Sequence, residues 1–585
     1  MTAVPRSPRQ LASVSLALVL LAGCMGPGPD APTGSTTPPP ATDDVVASTA
    51  PSSVPPDDDA ATTTSAPAAG DGVEDEEPGT AADDTRLAVH GVSAGHPLAS
   101  EAGVEMLEQG GTAVDAAIAA AFADAVVQPV TSGLGGGGAA LVAVDGEVTS
   151  FDYREVVNET GVIPPGGAGI PGFVAGMERL HAEHGQLPWE ELLRPGIELA
   201  EDGVPVSGFL AMTLAIPGVD GITADLPHFR GADGAPLGEG DLLVQDELAR
   251  TMTVLAEEGA EAFYEGTLAP RLTQEPGMDA ASLAGYELQV SSSPPSGRVG
   301  GHTLVSAAPP LPGAALVQLV QVAEAGGVAD VDPWSADFVQ LQSQAWAVAE
   351  ESVQTLIGDP DFVDVPVDRL TDPDRNAAVA AERLGTDPGP GAAAPFEGAG
   401  NTTHISVVAA DGSAVSMTNT ITHYWGSGRY VDGYFLNDQL TRFDALGTTA
   451  ANEPSPGRRS VSWSTPSMVL DEQGRPALVI GTPGGQQIPN TIAAAVLRWS
   501  LHDAELADLV AAPRFIHTGG EMVLETAQLE GALRDRGYAV RVVDPATRAD
   551  FGSLNVLEVD WDEGTITSVA DERRAAGFSI ADTAD

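Results

Sequence analysis

Lysine is absent from the 585-residue sequence, and cysteine occurs once. The 26 basic residues are therefore all arginines, and 83 acidic residues bring the formal net charge to -57. Such an acidic chain repels phosphates, which argues against nucleic acid as a partner. A single cysteine excludes a disulfide within the chain. No grouping of His, Cys, Asp or Glu has the spacing of metal ligands, so we expect neither a metal ion nor a cofactor.

The N-terminal residues have the pattern of an export signal. Two arginines precede an apolar run over residues 11–21, which is too short to span a bilayer as a stable helix. The string LAGC that ends at Cys24 resembles a bacterial lipobox, in which the cysteine becomes the lipidated first residue. We expect residues 1–24 to be a lipoprotein-type signal peptide, Cys24 to be lipidated, and the exported protein to be held on the outer face of the bacterial cytoplasmic membrane. An ordinary secretory signal and a secreted protein are the alternative.

Residues 25–85 consist mostly of Pro, Thr, Ser, Ala and Asp, with few large apolar side chains. Such a segment cannot offset the entropy lost on ordering, which predicts a disordered tether whose lipid is the only contact with the membrane. From about residue 86 the chain alternates helical and strand patterns, which favours a layered α/β protein. Helices are expected at residues 97–109 and from 113 onward, and a hairpin with an Asp-Gly turn is expected at residues 140–153.

A Gly-, Ala- and Pro-rich stretch at residues 385–400 directly precedes Asn401 and predicts an exposed loop. Strand patterns dominate beyond it. The expected elements are strands at residues 405–409 and 414–420, joined by a turn at Asp411 and Gly412, strands at 467–470 and 477–480, and a helix at 488–499.

The hairpin that follows Asn401 brings two threonines together. If Asp411 and Gly412 are its two loop residues, Thr403 lies opposite Thr420, and Thr402 is then a near neighbour of Thr420. A hydroxyl is a weak nucleophile unless a base lies within hydrogen-bond reach, and the α-amine of an N-terminal threonine can be that base. A cut directly before Thr402 would supply that amine.

Two glycine-rich strings could each bind an anion through backbone N–H groups. GTPGG at residues 481–485 lies between a predicted strand and a predicted helix, where such groups can form an oxyanion hole. The run at residues 133–138 satisfies the dinucleotide pattern G-x-G-x-x-G, but it leads into a strand rather than a helix. We therefore reject nucleotide binding.

Several strings together resemble the γ-glutamyltranspeptidase family, from about residue 86 to the C-terminal region. The strongest are TTHISVV at residues 402–408 and TPGG at residues 482–485. Supporting strings are GGTAVDAA at 110–117, SGLGGGG at 132–138, YRE at 153–155, GIPG at 169–172 and GDPDFVDVP at 358–366.

This resemblance implies a four-layer αββα sandwich of the N-terminal-nucleophile hydrolase class, made as one precursor. Autocatalytic cleavage between Asn401 and Thr402 would give a large subunit of residues 86–401 and a small subunit of residues 402–585. The two fragments would stay associated as a heterodimer.

The resemblance also implies roles for individual residues. Thr402 would attack the γ-amide carbonyl of a γ-glutamyl substrate, with Thr420 as its supporting threonine. Gly484 and Gly485 would stabilise the oxyanion, and water or an acceptor amine would resolve the acyl-enzyme. Arg154 would pair with the substrate's α-carboxylate, for which a planar guanidinium is well suited.

The sequence departs from the family where the substrate's α-ammonium group is expected to bind. The family has an acidic residue near the end of an NNxMDDF-like string, whereas this chain has NDQLTRF at residues 437–443 and places Arg442 there. Attraction would become like-charge repulsion. Thr422 stands where the family tends to have asparagine, and Ser462 and Trp463 stand where it tends to have two serines. The expected substrate-binding residues are Arg154, Thr422, Gln439, Arg442, Ser462 and Trp463.

Three functions are compatible with these features. The first is a γ-glutamyl hydrolase or transferase acting on glutathione-like or polyglutamyl amides, with Arg442 turned away or contacting a second carboxylate. The second is an acylase for glutaryl groups, such as those of cephalosporin side chains, which lack an α-ammonium. The third is a lipid-anchored pseudoenzyme that binds acidic peptides. The presence of Thr402, Thr420, Gly484 and Gly485 argues against the third.

Overall fold

The computed structural model describes residues 86–583, apart from positions 386, 388, 390, 392–395, 397–399 and 446–449. The expected signal peptide with Cys24 and the expected tether at 25–85 lie outside the described residues, as does most of the expected loop at 385–400.

The described chain forms strands and helices over most of its length. The strands are β1 (Val89–Ala94), β2 (Gly137–Val144), β3 (Glu147–Asp152), β4 (Val204–Pro205), β5 (Leu242–Leu243), β6 (Gln289–Ser291), β7 (Ser296–Val299), β8 (His302–Ser306), β9 (Gly400–Val408), β10 (Ala414–His423), β11 (Tyr430–Val431), β12 (Tyr434–Phe435), β13 (Ser467–Leu470), β14 (Pro476–Gly481), β15 (Phe515–Thr518), β16 (Glu521–Leu524), β17 (Val540–Val542), β18 (Asn555–Asp560), β19 (Thr565–Thr567) and β20 (Gly577–Asp582). The helices are α1 (Pro97–Glu108), α2 (Ala113–Val127), α3 (Phe173–His184), α4 (Trp189–Asp202), α5 (Gly208–Leu214), α6 (Val219–Thr223), α7 (Asp246–Glu258), α8 (Glu261–Tyr264), α9 (Ala269–Leu272), α10 (Ala280–Ala284), α11 (Gly313–Ala325), α12 (Ala336–Leu356), α13 (Val367–Thr371), α14 (Pro373–Arg383), α15 (Arg442–Ala445), α16 (Gln487–His502), α17 (Leu506–Ala511) and α18 (Glu530–Asp535). Of the helices in the described ranges, none has the length and apolar character needed to span a bilayer.

Two antiparallel sheets lie at the centre of the fold. The described residues form a seven-stranded sheet in the order β20-β1-β9-β10-β2-β3-β6 and a six-stranded sheet in the order β19-β18-β14-β13-β8-β7. Apolar side chains from both sheets, such as Leu141, Val408, Met468 and Val479, form the layer between them. The predicted αββα sandwich is confirmed, because α1 and α2 pack on the outer face of the first sheet and α11, α12 and α16 pack on the outer face of the second.

Several predicted elements are confirmed closely. The helix expected at residues 97–109 is α1, the hairpin at 140–153 is formed by β2 and β3, and the strand at 467–470 coincides with β13. Residues of α2 are buried on every side of the helix, because it lies between the first sheet and helices α1 and α4. An alanine-rich sequence suits this position, since small side chains allow the neighbouring elements to approach closely.

The β9–β10 hairpin differs from its predicted register by one residue. Thr403 pairs with Asn419 rather than Thr420, because Ala409 N–H bonds to Ser413 O and the loop therefore contains three residues instead of two. Beyond this pair the register shifts again at a bulge, where Thr420 and the next residue together lie opposite Thr402. Thr402 and Thr420 are adjacent, as predicted, although by a different route.

Candidate active site

Thr402 lies near the start of β9, with its side chain on the face that looks toward the second sheet. Its Oγ1 is 2.5 Å from the carbonyl oxygen of Asn401 and 3.3 Å from Thr420 Oγ1. Thr420 Oγ1 is itself 2.5 Å from the same carbonyl oxygen. Both threonines are buried. Two hydroxyls therefore converge on the carbonyl of the predicted scissile peptide, one able to attack it and the other able to donate to its oxygen.

The hydroxyl of Thr420 is oriented by the backbone bulge. Thr422 N–H donates to Thr420 Oγ1 over 2.8 Å, which leaves the Thr420 proton for the Asn401 carbonyl. Thr422 has a φ of 85°, which is an outlier for a β-branched residue and costs about 1–3 kcal/mol. Its side chain faces Gln439, with 2.5 Å between Thr422 Oγ1 and Gln439 Oε1. The strain is thus located beside the two reacting hydroxyls.

Most of the predicted site residues line one small cavity. Ser464 and Ile488 also line this cavity, although they were not predicted as site residues. The predicted residues in its wall are Thr402, Thr420, Thr422, Gln439, Arg442, Ser462, Trp463 and Gly485.

Arg154 lies one layer behind this wall. Its guanidinium pairs with Asp152, with 2.6 Å between Arg154 Nη2 and Asp152 Oδ2, and it donates to Ser460 O over 2.9 Å. Ser460 Oγ accepts a hydrogen bond from Gln439 Nε2 over 3.0 Å. Arg154 is therefore connected to the cavity through Ser460 and Gln439 and does not line it in this form of the protein.

Gly484 and Gly485 precede helix α16 and have positive φ values of 128° and 59°. Gly400, two residues before Thr402, packs directly against them: a Cβ on Gly400 would lie 2.5 Å from Gly485 Cα. Only glycine backbones can approach so closely. The chain just before the predicted cut therefore lies against the segment predicted to form the oxyanion hole.

Behind the nucleophile, the Thr403 hydroxyl donates a hydrogen bond to the buried carboxylate of Asp124 on α2. Gly95 N–H also bonds to Asp124. Burial raises the pKa of Asp124 to about 7, against the opposing effect of these two hydrogen bonds. Asp124 was not predicted as a site residue, although an aspartate in the apolar string AFADAVV was a signal that a partner was present.

Asp124 should make stability depend on pH. Because its folded pKa of about 7 exceeds the ordinary aspartate value of 3.8, its contribution to stability is full below about pH 4 and is lost as the pH rises through 7. We expect Asp124→Asn to remove this loss, which is on the order of 1 kcal/mol per pH unit within that window. Thermal unfolding at pH 5 and pH 8 measures the effect: the melting temperature should fall less for Asp124→Asn than for the wild type. Equal slopes would contradict this assignment.

Two histidines near the site, His404 and His423, are held by neighbouring side chains. His404 is buried, packs at Gly481, and lies 2.8 Å from Thr418 Oγ1 through its Nδ1. Burial lowers the pKa of His404 to about 3, so the ring is neutral. His423 Nδ1 lies 2.7 Å from Asp438 Oδ2 at the edge of the site.

Comparison with known proteins agrees with this geometry. The profile of the Gamma-glutamyltranspeptidase family matches residues 99–581. The Capsule biosynthesis protein CapD proenzyme of Bacillus anthracis is 34% identical over 492 residues, which cover 83% of this chain and 89% of that protein. The Glutathione hydrolase proenzyme of Escherichia coli (strain K12) is 32% identical over 466 residues, covering 72% and 79%. The crystal structure of cephalosporin acylase from Bacillus halodurans has a TM-score of 0.76 at 22% identity, covering 84% of this chain and 96% of that one.

The stacked sheets, and a threonine that reaches its own preceding carbonyl from the start of a central strand, define an N-terminal-nucleophile hydrolase. Within that class, the chain belongs to the γ-glutamyltranspeptidase family and is a hydrolase or transferase.

Proposed function

We propose that this structure is the uncut precursor and that Thr402 cleaves the peptide bond before it. The observation that carries the proposal is the convergence of Thr402 and Thr420 hydroxyls on the Asn401 carbonyl. Thr402 Oγ1 attacks the carbonyl carbon of Asn401, and Thr420 donates to the developing oxyanion. The C–N bond then breaks, and the proton from the hydroxyl passes to the nitrogen of Thr402. One water hydrolyses the resulting ester, giving an Asn401 carboxylate, a free hydroxyl and a free α-amine on Thr402.

The mature enzyme uses the same hydroxyl on an external amide. The α-amine of Thr402 accepts the hydroxyl proton as Oγ1 attacks a γ-glutamyl carbonyl, and the amine of the substrate leaves with that proton. Water or an acceptor amine then releases the acyl group. Backbone N–H groups of Gly484 and Gly485 supply the oxyanion hole once Gly400 has moved away from them.

The donor is a γ-glutamyl amide, and Arg442 in the cavity wall favours donors whose α-nitrogen carries no charge. A free α-ammonium beside a buried guanidinium would be repelled. When a polyglutamyl chain is cut at an internal bond, the α-nitrogen of the donor residue is a neutral amide, and the neighbouring residues carry carboxylates that an arginine can bind. We therefore place internal bonds of polyglutamyl chains ahead of glutathione-like donors.

A glutaryl or cephalosporin-type acylase is the second candidate, and the same Arg442 favours it. A glutaryl group has a terminal carboxylate and no α-nitrogen, so it avoids the repulsion completely. Its disadvantage is the loss of any hydrogen bond that Thr422 or Gln439 could make to an α-amide.

Intact mass measurement and N-terminal sequencing of the purified wild-type protein test the proposed function. We expect two fragments that remain together during gel filtration, the smaller one beginning at Thr402. Release of the aniline from a γ-glutamyl or glutaryl anilide is expected only with the cut form of the enzyme. A single full-length chain after purification would contradict the proposal.

We also propose that the enzyme is exported and anchored through a lipid on Cys24. The apolar run at residues 11–21 and the string LAGC support this assignment. Expressed in a bacterial host fed labelled palmitate, the wild type should carry label and sediment with membranes. Cys24→Ala should lose the label and leave the membrane fraction with its chain cleavage unchanged, because residue 24 is remote in sequence from Thr402. A Cys24→Ala protein that keeps the label would contradict lipidation at Cys24.

A further inference from the structure

Arg574, in the loop between β19 and β20, contacts the backbone on both sides of the Asn401–Thr402 bond. Its Nη2 donates to Gly400 O over 3.1 Å, and its Nη1 donates to Thr402 O over 3.3 Å. Its Nε donates to Ala549 O over 3.0 Å. One planar guanidinium thus bonds to the carbonyl before and the carbonyl after the scissile peptide.

On the side of β9 that faces β1, this position has no neighbouring strand, whereas β10 still pairs with it on the other side. Strand β1 pairs with β9 only at Val408, Val407 and Ser406, so the pairing ends before the site is reached. Carbonyls alternate in direction along a strand. Gly400 O and Thr402 O point toward Arg574, while Asn401 O points the other way, toward Thr402 Oγ1 and Thr420 Oγ1.

The guanidinium itself is held firmly. Arg574 is buried, and its Cζ lies 5.0 Å from the centre of the Phe209 ring and 5.9 Å from that of Tyr424. Contacts of a guanidinium with aromatic faces are favourable and fix the plane of the fork. Its neighbour Arg573 differs, because it pairs with Glu525 and Asp571 and so belongs to an ion-pair network.

We propose that Arg574 is a positioning residue for self-cleavage: its fork replaces the missing strand, fixes the carbonyls of Gly400 and Thr402, and thereby presents the Asn401 carbonyl to the two threonine hydroxyls. It touches neither reacting atom. After the cut it keeps its bond to Thr402 O, which holds the new N-terminal residue in place. This inference rests on the proposed self-cleavage, and its test separates the two.

The test follows cleavage of the full chain after pulse-labelled cell-free synthesis, on denaturing gels. Arg574→Ala is expected to slow the split at least 10-fold relative to the wild type. Guanidinium, at concentrations too low to unfold the protein, should restore much of the rate by occupying the space between the two rings. Urea has a similar shape without the charge and should not. Arg574→Lys, which offers a point charge instead of a fork, should cleave at an intermediate rate.

Arg498→Ala is the matched control. Arg498 is also a buried arginine that donates to a backbone carbonyl, that of Pro333, and lies over two aromatic rings, but it is on α16, away from Thr402. The Arg498→Ala variant should therefore cleave at the wild-type rate. The role of Arg574 would be overturned by any of three results: cleavage of Arg574→Ala at the wild-type rate, a cleavage rate of Arg498→Ala as low as that of Arg574→Ala, or rescue by urea equal to rescue by guanidinium. Failure of the wild type to split would instead overturn the proposed function.

Discussion

Thr402→Ala is expected to remain a single full-length chain and to lose turnover of γ-glutamyl and glutaryl anilides entirely. The variant has no hydroxyl to attack the Asn401 carbonyl, so no ester forms and no α-amine is released at position 402. Both steps depend on one atom, Thr402 Oγ1. We therefore expect losses of processing and of activity to appear together and to be limited only by the detection threshold of each assay.

Two other variants separate the nucleophile from its surroundings. Thr402→Ser keeps the hydroxyl and should still split, which would show that the hydroxyl of residue 402, and not its methyl group, is required for cleavage. Thr420→Ala keeps the nucleophile but removes the donor to the Asn401 carbonyl oxygen. We expect it to split about 10²–10³-fold more slowly, as removal of an oxyanion donor does in other enzymes. Time courses on denaturing gels measure all three variants. A Thr402→Ala protein that splits at the same bond would refute the assignment of the nucleophile.

Local patterns in the sequence predicted the parts of the site that lie on neighbouring strands and turns. The alternation around Asp411 and Gly412 indicated a hairpin, and the hairpin brought Thr402 and Thr420 together. The register within it was one residue off, since an Asp-Gly pair fits either a two-residue loop or the three-residue loop that the chain adopts. The bulge at Thr420 left no pattern in the residue types, because it depends on where the strand must bend.

Contacts between distant segments could not be predicted in the same way. Arg574 and Thr402 are 172 positions apart, and an arginine near the end of a chain is usually a solvated surface residue. Asp124 was conspicuous within an apolar helix, but its partner Thr403 lies on another element. Arg154 illustrates the converse: it belongs to a motif that the sequence displays, but its pairing with Asp152 is a property of the folded chain that the motif does not reveal.

We expect the positive charge of Arg442 to determine which donor substrate the enzyme prefers. In the wild type, kcat/KM for an N-acetyl-γ-glutamyl anilide should exceed that for the free γ-glutamyl anilide by about 100-fold. This ratio corresponds to about 3 kcal/mol, which is within the several kcal/mol that juxtaposed like charges cost in a desolvated site. Arg442→Asp should reverse the preference, because the carboxylate attracts an α-ammonium where the guanidinium repels it.

Arg442→Met is the matched control for this reversal, since it removes the positive charge without adding a partner for the ammonium. It should accept both donors with similar kcat/KM values, between the two charged forms. A glutaryl anilide assayed in parallel ranks the acylase function: if wild type prefers it to the N-acetyl-γ-glutamyl compound, the cavity selects for the missing α-nitrogen and not for a neutral one. If wild type instead hydrolyses the free γ-glutamyl anilide efficiently and Arg442→Asp brings no gain, Arg442 does not face the α-nitrogen of the donor, and the preference for polyglutamyl chains has no basis.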